Sequence, residues 1–126
     1  NEHIAWYDKR AASYNPTPLV YGDEFYTLYD FGFLACRDAQ TGKLHYGKQR
    51  INADKSTGFT ASPWAYRGHV FALSEAGDTY VFAAGKKYEL VRVNHTGGMS
   101  MANSALAGDR LLIRNQTHLL SIRDSN

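Results

Sequence analysis

Apolar residues come along this chain in short bursts of three to six, such as Phe25-Tyr26-Thr27-Leu28, Val70-Phe71-Ala72-Leu73 and Leu111-Leu112-Ile113, each cut off by Gly, Asn or Asp within a few positions. No stretch holds the 3.6-residue period of a helix, and β-branched and aromatic residues fill the bursts, so the pattern predicts an almost all-β chain. Strands are expected near Pro18 to Tyr21, Phe25 to Tyr29, Leu34 to Asp38 and Leu44 to Ile51, with turns at Gly22-Asp23, Asp30-Phe31-Gly32 and Gln40-Thr41-Gly42. A second set follows at Thr60 to Tyr66, Val70 to Ser74, Thr79 to Ala83 and Tyr88 to Asn94, and a third at Met101 to Ala107, Arg110 to Arg114 and Leu119 to Ile122.

The sets are repeats. Each opens on a small hydroxyl residue, at Thr17, Ser62 and Ser104, and runs through apolar positions into a glycine turn. These starts lie 45 and 42 residues apart, the spacing of four-stranded β-propeller blades. The chain therefore reads as one partial β-propeller domain over 1–126, with blades at 17–51 and 60–94 and three strands of a further blade at 101–123. Residues 1–10, through His3-Ile4-Ala5-Trp6-Tyr7-Asp8, are expected to form an orphan outer strand able to complete the third blade. About three blades are too few to close a ring and hide both end faces. That leaves two arrangements: a fragment of a longer propeller, or copies whose arcs close an oligomeric ring of six blades.

Composition changes this picture little. Fourteen Lys and Arg stand against twelve Asp and Glu, interspersed without a basic stripe, which speaks against nucleic acid. No apolar run is long enough to span a bilayer. Cys36 is the only cysteine, so no disulfide forms within the chain. His3, His45, His69, His95 and His118 show no metal-ligand spacing, and no serine sits in a Gly-x-Ser-x-Gly elbow. Asp23, Asp78 and Asp109 flank turn glycines, where aspartate serves turn geometry, and Asn94-His95-Thr96 and Asn115-Gln116-Thr117 read the same way despite fitting the glycosylation sequon. No catalytic, cofactor-binding or metal-ligating residue is nominated. Trp64, Tyr66, Tyr14 and Arg67 have the composition of interface anchors and are expected to pack between blades.

The most specific local signal is Cys36-Arg37-Asp38-Ala39-Gln40-Thr41-Gly42-Lys43-Leu44-His45-Tyr46. Asp38 and Thr41 have the side chains to accept backbone N–H bonds in a tight hairpin, and Gly42 accepts a positive φ. Here the chain resembles the PQQ-like, quinoprotein-type and BamB-like β-propeller repeat family, whose docking motif is Ala-x-Asp-x-x-Thr-Gly-Lys-x-x-Trp. Asp38, Thr41, Gly42 and Lys43 match it; Cys36 stands where alanine is usual and Tyr46 where tryptophan is usual. Trp6 fits the tryptophan position of a preceding motif whose first half would lie before residue 1, which favours the fragment arrangement. The resemblance implies that Trp6, Cys36, Asp38, Thr41, Gly42 and Tyr46 form structural docking motifs locking neighbouring blades together. It also implies a bacterial periplasmic or extracytoplasmic address.

Quinoprotein enzymes of this family resemble one another in a vicinal cysteine pair and an axial calcium-quinone site, and one cysteine cannot supply the pair. The leading expectation is therefore a noncatalytic binding or scaffold module without cofactor. Its partners would be a protein, the remaining propeller blades, or further copies of itself. The alternative is a fragment of a PQQ-dependent oxidoreductase.

Overall fold

The computed structural model describes residues 2–51 and 58–124, and among these no residue is helical. Among the described residues, eleven strands form three antiparallel meanders. The first blade is β1 (Leu19–Tyr21), β2 (Glu24–Tyr29), β3 (Phe33–Asp38) and β4 (Leu44–Arg50), hydrogen-bonded in that order. The second is β5 (Trp64–Tyr66), β6 (His69–Leu73), β7 (Asp78–Ala83) and β8 (Leu90–His95), and the third is β9 (Ala105–Ala107), β10 (Arg110–Arg114) and β11 (Leu119–Arg123), in the same sense. The turns depend on glycine: Gly22, Gly32, Gly42, Gly77 and Gly108 all hold φ between 62° and 85°, where a Cβ is strained.

Several predicted strands are shorter than the apolar bursts suggested. The strand expected from Thr60 begins at Trp64, because the Thr60 hydroxyl donates to Glu75 and the Ser62 N–H donates to the Asn103 side chain, turning both residues to loop contacts. The strand expected from Met101 begins at Ala105, and the Met99 carbonyl accepts from Gln116 N–H across the loop. The N-terminal expectation needs correction. Residues 3–8 adopt turns and irregular backbone and pair with no strand, so they do not complete the third blade. The Trp6 indole instead donates to the Ala39 carbonyl at 2.9 Å, and Asp8 pairs with Arg37 at 2.6 Å, fixing this segment against the first blade.

Strand pairing sets which side chains meet between blades. Tyr26 lies opposite Cys36, and Leu28 opposite Leu34. These four point towards the second blade, whose Val70, Ala72, Tyr80 and Phe82 point back, and all eight are buried in one cluster. Alternate residues of the first blade (Phe25, Thr27, Tyr29, Ala35) form its other face, which residues 6–16 cover. Trp6 meets Phe25 edge-on at 5.2 Å, the Tyr29 hydroxyl donates to the Arg10 carbonyl, and Ala11 and Pro16 are buried. The seam between the second and third blades has a smaller cluster of Ala61, Leu73 and Ile113, with Trp64, Leu111 and Leu120 packed against it.

Candidate functional site

Two places hold the residues singled out by the sequence. The first is the β3–β4 turn. Asp38 Oδ1 accepts from the N–H of Gln40 at 3.1 Å, the N–H of Thr41 at 2.8 Å and the Thr41 hydroxyl at 2.8 Å. The Thr41 bonds, with support from the other donors, hold the Asp38 carboxyl below its ordinary value. Gly42, at φ +72°, lies flat under the Trp6 ring; a Cβ there would come within 2.6 Å of an indole carbon. Cys36 and Tyr46 face each other across β3 and β4. Cys36 is fully buried, and its thiol is pushed up to about 12 chiefly by desolvation. Tyr46 packs edge-on against Tyr88 at 5.8 Å, and burial raises its phenol too. The six residues thus gather around the first blade and its seam with the second, with Trp6 over Gly42 on one side and Cys36 and Tyr46 facing Tyr88 on the other. The Cys36–Tyr46 side is buried, whereas the Trp6–Gly42 side borders an open pocket of ≈ 620 Å³ that Asp8, Lys9, Arg10, Arg37 and Thr41 also line.

The second place is a cleft of ≈ 440 Å³ between the second and third blades. Trp64 and Phe71 lie opposite each other on β5 and β6, and their rings stack at 5.3 Å and 10° between planes. Leu106, Leu111 and Ile122 form the facing wall, brought to one side of the third blade because Leu111 pairs with both Leu106 and Ile122. A shallower pocket of ≈ 260 Å³ continues past Phe71 to Val81 and Arg92 on the same side of the second blade. Tyr66 and Arg67 stand at the rim, with the guanidinium 5.1 Å from the ring centroid. Leu106 is 48 % exposed, so the cleft is open, and Arg67, Asp109, Arg110, Arg123 and Asp124 line it beside the apolar side chains.

Of the four expected interface anchors, Trp64, Tyr66 and Arg67 meet at this cleft, whereas Tyr14 is 91 % exposed and lies outside it. Phe71, Leu106 and Ile122 were missed by sequence reasoning. The signal was present in the strand alternation, since each sits on the same side as Trp64 or Leu111 once the hairpins are paired in register. Among the described residues no three His, Cys, Asp or Glu side chains cluster as metal ligands, and no helix is long and apolar enough to cross a membrane.

No protein-family model matches the chain, and no curated protein matches it in sequence. Among solved structures it is similar to BamB from Moraxella catarrhalis, with a TM-score of 0.65 over 94 % of this chain at 13 % identity. The chain spans 35 % of the length of that protein. At such low identity the likeness concerns the fold: this is an all-β chain of β-propeller blades, consistent with part of a propeller.

Proposed function

We propose that the chain is a noncatalytic propeller module that binds protein, using the cleft between the second and third blades. The observation that carries this reading is the stacked Trp64–Phe71 pair left accessible at the mouth of an apolar seam. Aromatic anchors flanked by arginine, in a partly desolvated pocket, are the composition that concentrates binding energy at protein interfaces. The six residues around the first blade act, in this proposal, as the blade-docking motif of a PQQ-like repeat, with Trp6 on Gly42 as its principal contact. They hold the scaffold rigid while the cleft does the binding. The same resemblance is the ground for proposing an extracytoplasmic address.

Peptide-library selection against the folded chain, with Trp64→Ala as the counter-selecting variant, tests the reading. Sequences enriched on the native chain and lost on the variant support it. Enrichment indifferent to Trp64, or none, overturns it. Titration with PQQ and calcium probes the oxidoreductase alternative, and saturable binding with substrate-dependent dye reduction would replace the scaffold reading altogether.

A further inference from the structure

The open pocket of ≈ 620 Å³ beside the Trp6–Gly42 contact lies between residues 6–10 of the N-terminal segment and the β3–β4 hairpin, so both of its walls belong to described residues. Its volume is that of a small-molecule site. Trp6 and Arg37 are held in place there. The indole donates to the Ala39 carbonyl, and Arg37 donates through Nη1 to the Gly42 carbonyl at 3.0 Å and pairs through Nη2 with Asp8 at 2.6 Å. A ligand therefore meets groups that are already fixed, which lowers the ordering cost of binding.

The charges of the pocket do not balance. Lys9, Arg10 and Arg37 line it against the one carboxylate of Asp8. That carboxylate is engaged at both oxygens: Oδ1 accepts from the Arg10 N–H at 2.9 Å and Oδ2 pairs with Arg37. Among the described residues the Lys9 and Arg10 side chains make no ion pair. Three cations less one carboxylate leave a formal surplus of two positive charges in the lining. A phosphate monoester carries about 1.5 to 2 negative charges at neutral pH, which matches the surplus, whereas a carboxylate neutralises only half of it. Arginine and lysine are also the side chains that bind phosphate oxygens with charge-assisted hydrogen bonds. Aromatic surface adjoins these cations: Tyr7 is 76 % exposed, and the Trp6 ring is half-buried over Gly42.

We propose that this pocket binds a phosphate monoester joined to an apolar or aromatic group. Lys9 and Arg10 hold the phosphate, Arg37 keeps the Asp8 carboxylate turned away from it, and Trp6 and Tyr7 cover the apolar part. The site is separate from the cleft and does not depend on the protein-binding reading. Soluble aryl phosphates and the phosphatidic acid headgroup share this chemistry, and two arms of the test distinguish them.

The chain has two tryptophans, so the indole N–H peak that persists in the NMR spectrum of Trp64→Phe belongs to Trp6. Phenyl phosphate, benzoate and inorganic phosphate are titrated into the intact chain at low salt. The expected result is a saturable shift of the Trp6 peak with phenyl phosphate, about tenfold or more weaker binding of benzoate and of inorganic phosphate, and weakening by added salt. Lys9→Glu combined with Arg10→Glu, both exposed positions, should weaken phenyl phosphate binding about tenfold or more, and the rest of the spectrum reports whether the variant is folded. Sedimentation with phosphatidylcholine vesicles, with and without phosphatidic acid, is the second arm. Retention on phosphatidic acid that is lost in the double variant supports a lipid headgroup as the source, and phenyl phosphate binding without retention supports a soluble ligand. No shift with phenyl phosphate, movement of the Trp64 peak alone, equal binding in the folded double variant, or benzoate or inorganic phosphate binding as tightly as phenyl phosphate would each overturn the proposal.

Discussion

The seam between the first and second blades and the seam between the second and third are built on the same register, but the first is closed and the second gapes. In the first, Tyr46 lies opposite Cys36 on β3 and reaches across to Tyr88. In the second, the corresponding position opposite Val81 on β7 is Arg92, which does not fill the gap. The first seam is also stitched by tyrosine hydroxyls: Tyr21 accepts from Gly68 N–H at 2.9 Å, Tyr26 accepts from Gly85 N–H at 2.8 Å, and Tyr88 donates to the Arg50 carbonyl. The facing side of the second blade offers Phe71 where the first offers Tyr26, and a phenyl ring has no hydroxyl to bond with. Two changes of side chain, Phe71 for Tyr26 and Arg92 for Tyr46, therefore separate a sealed packing interface from a cleft. The lesson is that one backbone pattern can build a sealed joint and an open one.

Cavity-forming substitutions should separate the two seams most sharply. Phe82→Ala in the closed seam is expected to cost about 3–5 kcal/mol, whereas Trp64→Ala, with the ring already beside an open cleft, should cost under ~2 kcal/mol. Urea unfolding of both variants gives the comparison, and equal losses would mean that the second seam is as tightly packed as the first. Thiol chemistry probes the same contrast in the native state. Cys36, buried and held neutral with its thiol pushed up to about 12, should react with a disulfide reagent only on opening. A cysteine introduced by Leu106→Cys in the cleft should react roughly a hundredfold faster or more. Comparable rates would abolish the distinction.

The N-terminal cover over the first blade is sharpened by Gly42→Ala. A Cβ at φ +72° and 2.6 Å from the indole combines backbone strain with a clash, for a cost of about 2 kcal/mol. Indole emission should shift to the red as Trp6 lifts, and an unshifted spectrum would mean that the contact is dispensable. The smallest effect concerns acid. Hydrogen bonds keep the Asp38 carboxyl below the ordinary 3.8, and the Tyr14 and Asn15 N–H groups, outweighing slight burial, do the same for Asp30. A depressed folded-state value contributes stability that is present above the unfolded value and lost as pH falls through the folded one. Thermal melts should therefore decline below about pH 4, and Asp38→Asn should flatten that decline slightly while leaving neutral stability nearly unchanged. An identical acid limb in the variant would remove Asp38 from the account.

The blades were legible because strand alternation and turn glycines act locally. Gly22, Gly42 and Gly77 mark hairpins wherever the sequence puts them, and bursts such as Val70–Leu73 have no helical reading to compete with. The N-terminal segment was misread because Ile4, Trp6 and Tyr7 have strand composition, whereas the segment is held on the first blade by the Trp6 indole and the Asp8–Arg37 pair. Whether Trp6 enters a sheet or lies over Gly42 is decided by contacts more than thirty residues away. The cleft was half legible for the same reason: Trp64, Tyr66 and Arg67 stand together in the sequence, while Leu106 and Ile122 join them only after two hairpins are paired.

The cover laid by residues 6–16 over the first blade also gives the stack a direction. A head-to-tail contact, in which the third blade of one copy meets the first blade of the next, generates rings or filaments when repeated. Here the receiving surface is already occupied by Trp6, Ala11 and Pro16. Another blade could reach that face of the first blade only by first peeling this segment away. The chain thus caps its own first blade on the side away from the second.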